Sequence, residues 1–301
     1  VFVFNRPEHT QKCLESLKKC HLASKSELYI YCDGPRNDAS EIEKAKILET
    51  RSIAKKQTWG KATFIIERDK NMGLADSVIT GIKEVLEKHN EVIVVEDDLV
   101  VGEGFLNYMN RALRLYEKDE RVMQVSGFIF DIDIKPENKA YLVPLTTTWG
   151  WATWKRVWEK VDFFPEDYLN LKKDKALRRR FNLGGAYNYS EMLITQMEGR
   201  KLSSWGIRFW WDIFKKKGLV VYPDKTLVLN NGFDNTGRHS GGINYLANNP
   251  RFDEKYEVFN FEEDENYTTL RKIINFKQEK TTSSIYKQFL YLIKSRFMFK
   301  D

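Results

Sequence analysis

The chain predicts an α/β fold in which a mostly parallel central sheet is flanked by helices. Short β-rich runs alternate with helical patterns through the first half, and the strands end in polar residues. Composition agrees: 42% of the 301 residues are hydrophobic and 31% charged, enough for one large core or two small ones. The same figures exclude disorder, a collagen-like fibre and a disulfide-stapled miniprotein. No run reaches the ~18 apolar residues of a membrane-spanning helix.

Residues 1–4 (Val-Phe-Val-Phe) read as the first strand, and a helix follows from about Thr10 with Leu14 and Leu17 on one face. Residues 28–32 form the second strand. Ser40 with Glu43 makes a capping box that opens the next helix, which ends before Lys55. Residues 62–67 are the third strand, and a helix from Leu74 to about Lys88 follows. Residues 91–95 form the fourth strand; a helix from about Gly104 to Tyr116 leads to the fifth, residues 122–125. Beyond Gly127 the pattern turns irregular and rich in tryptophan, so the chain divides near residue 127 into two halves of one compact unit. Cys13, Cys20 and Cys32, odd in number and without C-x-x-C spacing, suit buried reduced thiols in a reducing compartment.

In open α/β sheets ligands bind at the carboxyl ends of strands. Strand one is followed by Asn5-Arg6-Pro7, strand two by Asp33-Gly34-Pro35, and strand three by Arg68-Asp69-Lys70-Asn71-Met72-Gly73. Strand four runs straight into Glu96-Asp97-Asp98. Three adjacent carboxylates after a buried strand repel one another unless positive charge sits there. A hard divalent cation supplies it through oxygen ligands, whereas a helix cap, the competing reading, needs only one acid. There is no G-x-x-x-x-G-K-[ST] loop, no G-x-G-x-x-G after strand one, no H-E-x-x-H and no G-x-S-x-G. P-loop NTPases, nicotinamide or flavin dehydrogenases, zincins and α/β-hydrolases are therefore disfavoured.

Phe4-Asn5-Arg6-Pro7, Asp33-Gly34, Asn71-Met72-Gly73 and above all Val95-Glu96-Asp97-Asp98-Leu99 resemble the GT-A-fold glycosyltransferases over about residues 1–240. The similarity is greatest to family-2-like bacterial sugar transferases and to N-acetylglucosaminyltransferase I. The resemblance implies a GT-A, Rossmann-like sheet with residues 1–127 as the nucleotide-sugar-binding half. Residues 128–260 become the acceptor-binding and catalytic half, and 261–301 a basic helical tail. It makes Asp98 the ligand of Mn²⁺ (or Mg²⁺), places Asp97 on the donor's ribose, and has Glu96 support the pair. Asn5, Arg6 and Asp33 fall at the uracil-type base, with Arg68, Asn71 and Gly73 lining the cleft. Thr148-Trp149-Gly150-Trp151 is similar to the loop where such enzymes hold sugars, so Trp149, Trp151 and Trp205 are acceptor candidates; Trp154 and Trp158 read as core. The polar segment from Asn231 to His239 would close over the diphosphate, with His239 a second metal ligand and Arg238 or Arg208 neutralising the leaving group. Phe209-Trp210-Trp211-Asp212 is similar to the base-bearing helix of N-acetylglucosaminyltransferase I, which makes Asp212 the base of an inverting reaction and Glu191 the reserve. An ion pair with Arg208 is the other reading of Asp212.

The implied function is metal-dependent transfer from a nucleotide sugar, UDP-linked, to a glycan or lipid-linked saccharide in surface polysaccharide synthesis. A sugar nucleotidyltransferase and a non-catalytic carbohydrate-binding protein are the alternatives. The former usually carries a Gly-rich loop after strand one; the latter has no need of the acidic triplet. The net charge of +6 is accounted for by residues 271–301, with eight cations and two acids, so a nucleic-acid partner is not expected. In that tail Ile285, Phe289, Leu292, Ile293 and Phe297 recur at helical spacing among lysines. Such a helix lies on an anionic membrane surface or docks on the body. Residues 1–4 read as a strand with no charged region before it, which leads to the expectation of a cytoplasmic protein, peripheral on the inner face of the membrane if the tail binds lipid.

Overall fold

A computed structural model of the chain describes residues 1–199, 204–233 and 249–280. In chain order the first half runs β1 (Phe2–Val3), α1 (Pro7–Lys19), β2 (Glu27–Cys32), α2 (Glu41–Lys55), β3 (Ala62–Glu67), α3 (Leu74–Leu86), β4 (Glu91–Val94), β5 (Leu99–Val101), α4 (Phe105–Leu115) and β6 (Val122–Ser126). The second continues with β7 (Lys139–Val143), β8 (Trp151–Trp154), α5 (Lys155–Trp158), α6 (Leu169–Lys173), α7 (Lys175–Phe181) and α8 (Tyr189–Met197). Then come α9 (Trp205–Lys215), β9 (Leu219–Pro223), β10 (Val228–Asn230), β11 (Asn260–Glu265) and a last helix, α10, over residues 267–280.

The helices start where local chemistry favours them. Pro7 fills the first turn of α1, and Leu14 and Leu17 are buried as their spacing predicts. Ser40 accepts from the Glu43 amide at 3.2 Å and caps α2, while the Glu43 carboxylate turns to Arg36 at 3.3 Å instead of closing the expected box. Asp174 and Ser204 cap α7 and α9 in the same way.

The sheet has an α/β arrangement, but it is less parallel than expected. β1, β2 and β3 pair in parallel, and a second sheet has the order β11-β7-β9-β6-β8-β4. The two are stitched by a parallel bridge from Phe2 to Glu96 and by the Phe2 amide on the Val95 carbonyl at 3.1 Å. Within the second sheet β8 runs antiparallel to both β4 and β6, and β7 antiparallel to β9. Both enter from the irregular stretch after Gly127, and a connection without a crossover helix can return antiparallel. Strands from both halves thus complete one sheet. β5, a three-residue run hidden behind the acids, pairs antiparallel with β10. A cavity of about 680 Å³ separates β2 from β4 below the short β1, which leaves Val92 and Ile93 half-buried where full burial was expected. Among the described residues no helix is long and apolar enough to cross a membrane. The three cysteines are buried free thiols.

Candidate functional site

The carboxyl ends of β1, β2 and β4 and the loop after β3 meet in one cleft of about 590 Å³. Asn5, Arg6, Asp33, Asn71, Gly73 and the triplet Glu96-Asp97-Asp98 all line it. Its opposite wall is built by the second half of the chain, from Trp149, Trp205, Asn230 and Phe233.

Burial controls the charge of the triplet. Desolvation first, then the neighbouring acids, pushes Glu96 up to about 8, while Arg6 and the Trp205 indole N–H pull it back. Asp97 is pushed up to about 7 for the same reasons, and Asp98 is raised as well, with Arg6 the main opposing influence. Arg6 Nη1 donates to Asp98 Oδ2 at 3.2 Å. One guanidinium stands against three half-buried carboxylates, so the cluster resists full ionisation near neutral pH.

β10 delivers a second set of contacts to Asp98. The Asn231 amide donates to the Asp98 carbonyl at 2.8 Å, and the Gly232 amide to Asn230 Oδ1 at 2.7 Å. A Cβ on Gly232 would lie 2.3 Å from Asp98 Oδ2, so only glycine leaves that carboxylate its space. His9 on α1 sits at the same corner, its Nε2 3.2 Å from the Asn231 carbonyl.

Asp33 has a different task from the one its position suggested. Its carboxylate accepts from the amides of Gly34, Met72 and Gly73 and from Asn71 Nδ2, at 2.9–3.2 Å. It therefore fixes the loop after β3 from the cleft floor. Arg36, three residues on, reaches the cleft with its guanidinium 5.1 Å from the centroid of Phe4, another lining residue. Sequence reading did not single out Arg36 and Ser204 as cleft residues; for Arg36 the signal was proximity to a strand end, and for Ser204 there was none.

Several expected site residues lie elsewhere. Arg68 pairs with Glu84 at 2.6 Å and covers Tyr31, outside the cleft lining. Arg208 is buried, donating to the Ser204 and Phe163 carbonyls, and desolvation holds it below the usual arginine value. Asp212 is 2% exposed and pairs with Lys216 at 2.7 Å, an i,i+4 pair on α9 rather than a cleft base. Arg208 is not its partner. Glu191 is exposed on α8 and outside the lining.

The tryptophans divide at Gly150, whose φ of +55° turns the chain so that neighbours on either side diverge. Trp149 faces the cleft and meets Phe233 edge-on at 5.7 Å. Trp151 is fully buried, stacked on Trp205 at 4.7 Å, so it is core and not an acceptor surface. Trp154 and Trp158 are core as expected, although Trp154 ends β8 instead of lying on a helix. Arg238, His239 and the tail from 281 onward lie outside the described residues.

No family model matches the chain, and no curated protein sequence matches it. Among solved structures it is similar to mouse xyloside xylosyltransferase 1 in its apo form, at 9% identity and a TM-score of 0.37, covering 72% of this chain and 81% of that one. So loose a likeness assigns no residue and no substrate.

Proposed function

We propose that the chain is a GT-A-like glycosyltransferase that moves a sugar from a nucleotide-sugar donor, UDP-linked, to a saccharide or glycolipid acceptor in surface polysaccharide synthesis. The observation that supports this most is the half-buried Glu96-Asp97-Asp98 triplet at the carboxyl end of β4, facing a cleft walled by Trp149. Such a cleft offers one face to a charged diphosphate and another to a pyranose ring.

Among the described residues no three acid, imidazole or thiol groups converge on one metal position, so a hard divalent cation here would take one or two carboxylates and complete its shell with diphosphate oxygens and water. Asp97 and Asp98 would hold Mn²⁺ or Mg²⁺, with Glu96 raised behind them and Gly232 leaving room at Asp98. When bound, such an ion absorbs negative charge on a departing diphosphate. Arg6, beside Asp98, adds a fixed positive group at the same corner. Asp33 and Asn71 set the shape of the nucleotide end through the loop they tie down. Trp149 and Phe233 supply aromatic surface to the sugars. With Asp212 paired and Glu191 outside the cleft, neither supports a general base for an inverting reaction.

Turnover of a panel of nucleotide sugars with and without Mn²⁺ tests the reading. Asp98→Asn should abolish metal-dependent UDP-sugar turnover while the circular dichroism spectrum stays that of the parent. Undiminished activity in that variant would remove the metal assignment. UDP binding that is indifferent to Mn²⁺ in calorimetry would instead favour a carbohydrate-binding protein.

A further inference from the structure

Between α5 and α9 the chain inserts three short helices, α6, α7 and α8, and this insertion carries a charge pattern the cleft does not use. Residues 172–180 read Lys-Lys-Asp-Lys-Ala-Leu-Arg-Arg-Arg, six cations and one acid, while the rest of residues 1–270 carries a net charge of −5. At 100° per residue, Leu177 and Phe181 fall on one side of α7. Phe181 is fully buried there against Trp210, Trp211 and Phe214. That anchoring turns Lys175, Arg179 and Arg180 to the opposite, exposed side. Together with Lys173 they make no hydrogen bond or ion pair with any described residue. Asp174, the only acid in the run, is already occupied as the cap of α7 by the Leu177 amide at 2.9 Å.

Exposed apolar groups accompany the charge. Phe164 and Leu169, just before α7, are 68% and 44% exposed, and Tyr187, just after it, is 38% exposed. A solvated face needs none of them, and a polyanion alone recruits only the cations. Unpaired cations together with exposed aromatic and aliphatic side chains fit a surface that is anionic outside and apolar within.

We infer that the insertion α6–α8 is a docking surface for an anionic lipid bilayer, with Lys175, Arg179 and Arg180 meeting the headgroups and Phe164, Leu169 and Tyr187 reaching below them. None of these residues lines the acidic cleft. The docking surface does not rest on the glycosyltransferase reading, and its test reads no activity.

Full-length protein is co-sedimented with vesicles of phosphatidylcholine alone and of equal parts phosphatidylcholine and phosphatidylglycerol. The parent should pellet with the anionic vesicles only, and added salt should release it. Lys175→Gln/Arg179→Gln/Arg180→Gln should bind roughly a hundredfold more weakly. The charge-preserving Lys175→Arg/Arg179→Lys/Arg180→Lys should bind like the parent, which separates loss of charge from loss of fold. Anionic-vesicle binding that survives the triple neutralisation, equal pelleting with neutral vesicles, or capture of the parent by a soluble acidic polysaccharide but not by vesicles overturns the inference.

Discussion

Asp212 and Asp98 show how little a carboxylate's identity says about its work. Asp98 shares a desolvated corner with two other acids, and Arg6 and then His9 are the groups that oppose the rise in its pKa. Asp212 is buried more deeply, yet Lys216 answers its charge one helical turn away. Only interactions formed in the transition state change the rate of the chemical step. Asp212→Asn should therefore leave turnover within about a factor of two of the parent, at a stability cost of about 1.5–3 kcal/mol for the lost charge-assisted bond of a buried carboxylate. A loss of several orders of magnitude in steady-state rate, in protein still folded at the assay temperature, would return Asp212 to the reaction.

At the scale of the element, the loop and strand around Gly150 separate two tryptophans that sequence could only pair. Trp151 lies in β8 between β4 and β6, stacked on Trp205 and close to Trp158 and Phe209. Its indole N–H has no partner, so packing alone holds it. Trp151→Ala should cost about 3–5 kcal/mol in chemical denaturation. Trp149 is half-buried at the cleft, and Trp149→Ala should weaken saccharide binding while lowering stability much less. Equal destabilisation by the two changes would contradict the division. The start of α2 was legible because a cap is local and Ser40 acts within one turn, whereas α1 begins at Pro7, ahead of the expected Thr10. The antiparallel run of β8 was not, because strand direction is set by partners far away in sequence.

Across the whole molecule, α10 packs on the body through the buried Ile273 and Phe276, and Lys277 lies at the same joint. The Lys277 ammonium sits 4.4 Å from the centroid of Phe130, 4.9 Å from Tyr187 and 5.5 Å from Tyr189. Phe130 meets Phe128, and Phe128 meets Trp149, so the aromatic run extends from this joint to the cleft. Burial pushes Lys277 down to about 8. A lowered lysine value means that the unfolded chain binds more protons between about 8 and the ordinary lysine range, so stability rises with pH across that window. Below it the charged amine is carried in both states and the slope vanishes. Lys277→Met should be more stable than the parent at pH 7, and the gap in urea midpoint should close as pH climbs from 8 towards 10. A gap that stays constant over that range would show that Lys277 remains charged.

The sequence by itself determined the alternation of strands and helices, the cap of α2, and the acids that stand at the end of β4, because each depends on neighbours within a few residues. It also brought Asn5, Arg6, Asp33, Asn71 and Gly73 to one edge, since a parallel sheet places successive strand ends together. Only the tertiary structure decided that Asp33 is a loop tie, that Trp151 is core, and that Arg68, Arg208, Asp212 and Glu191 lie away from the cleft. Those outcomes turn on which distant groups meet each side chain, and desolvation and pairing are properties of the packed molecule.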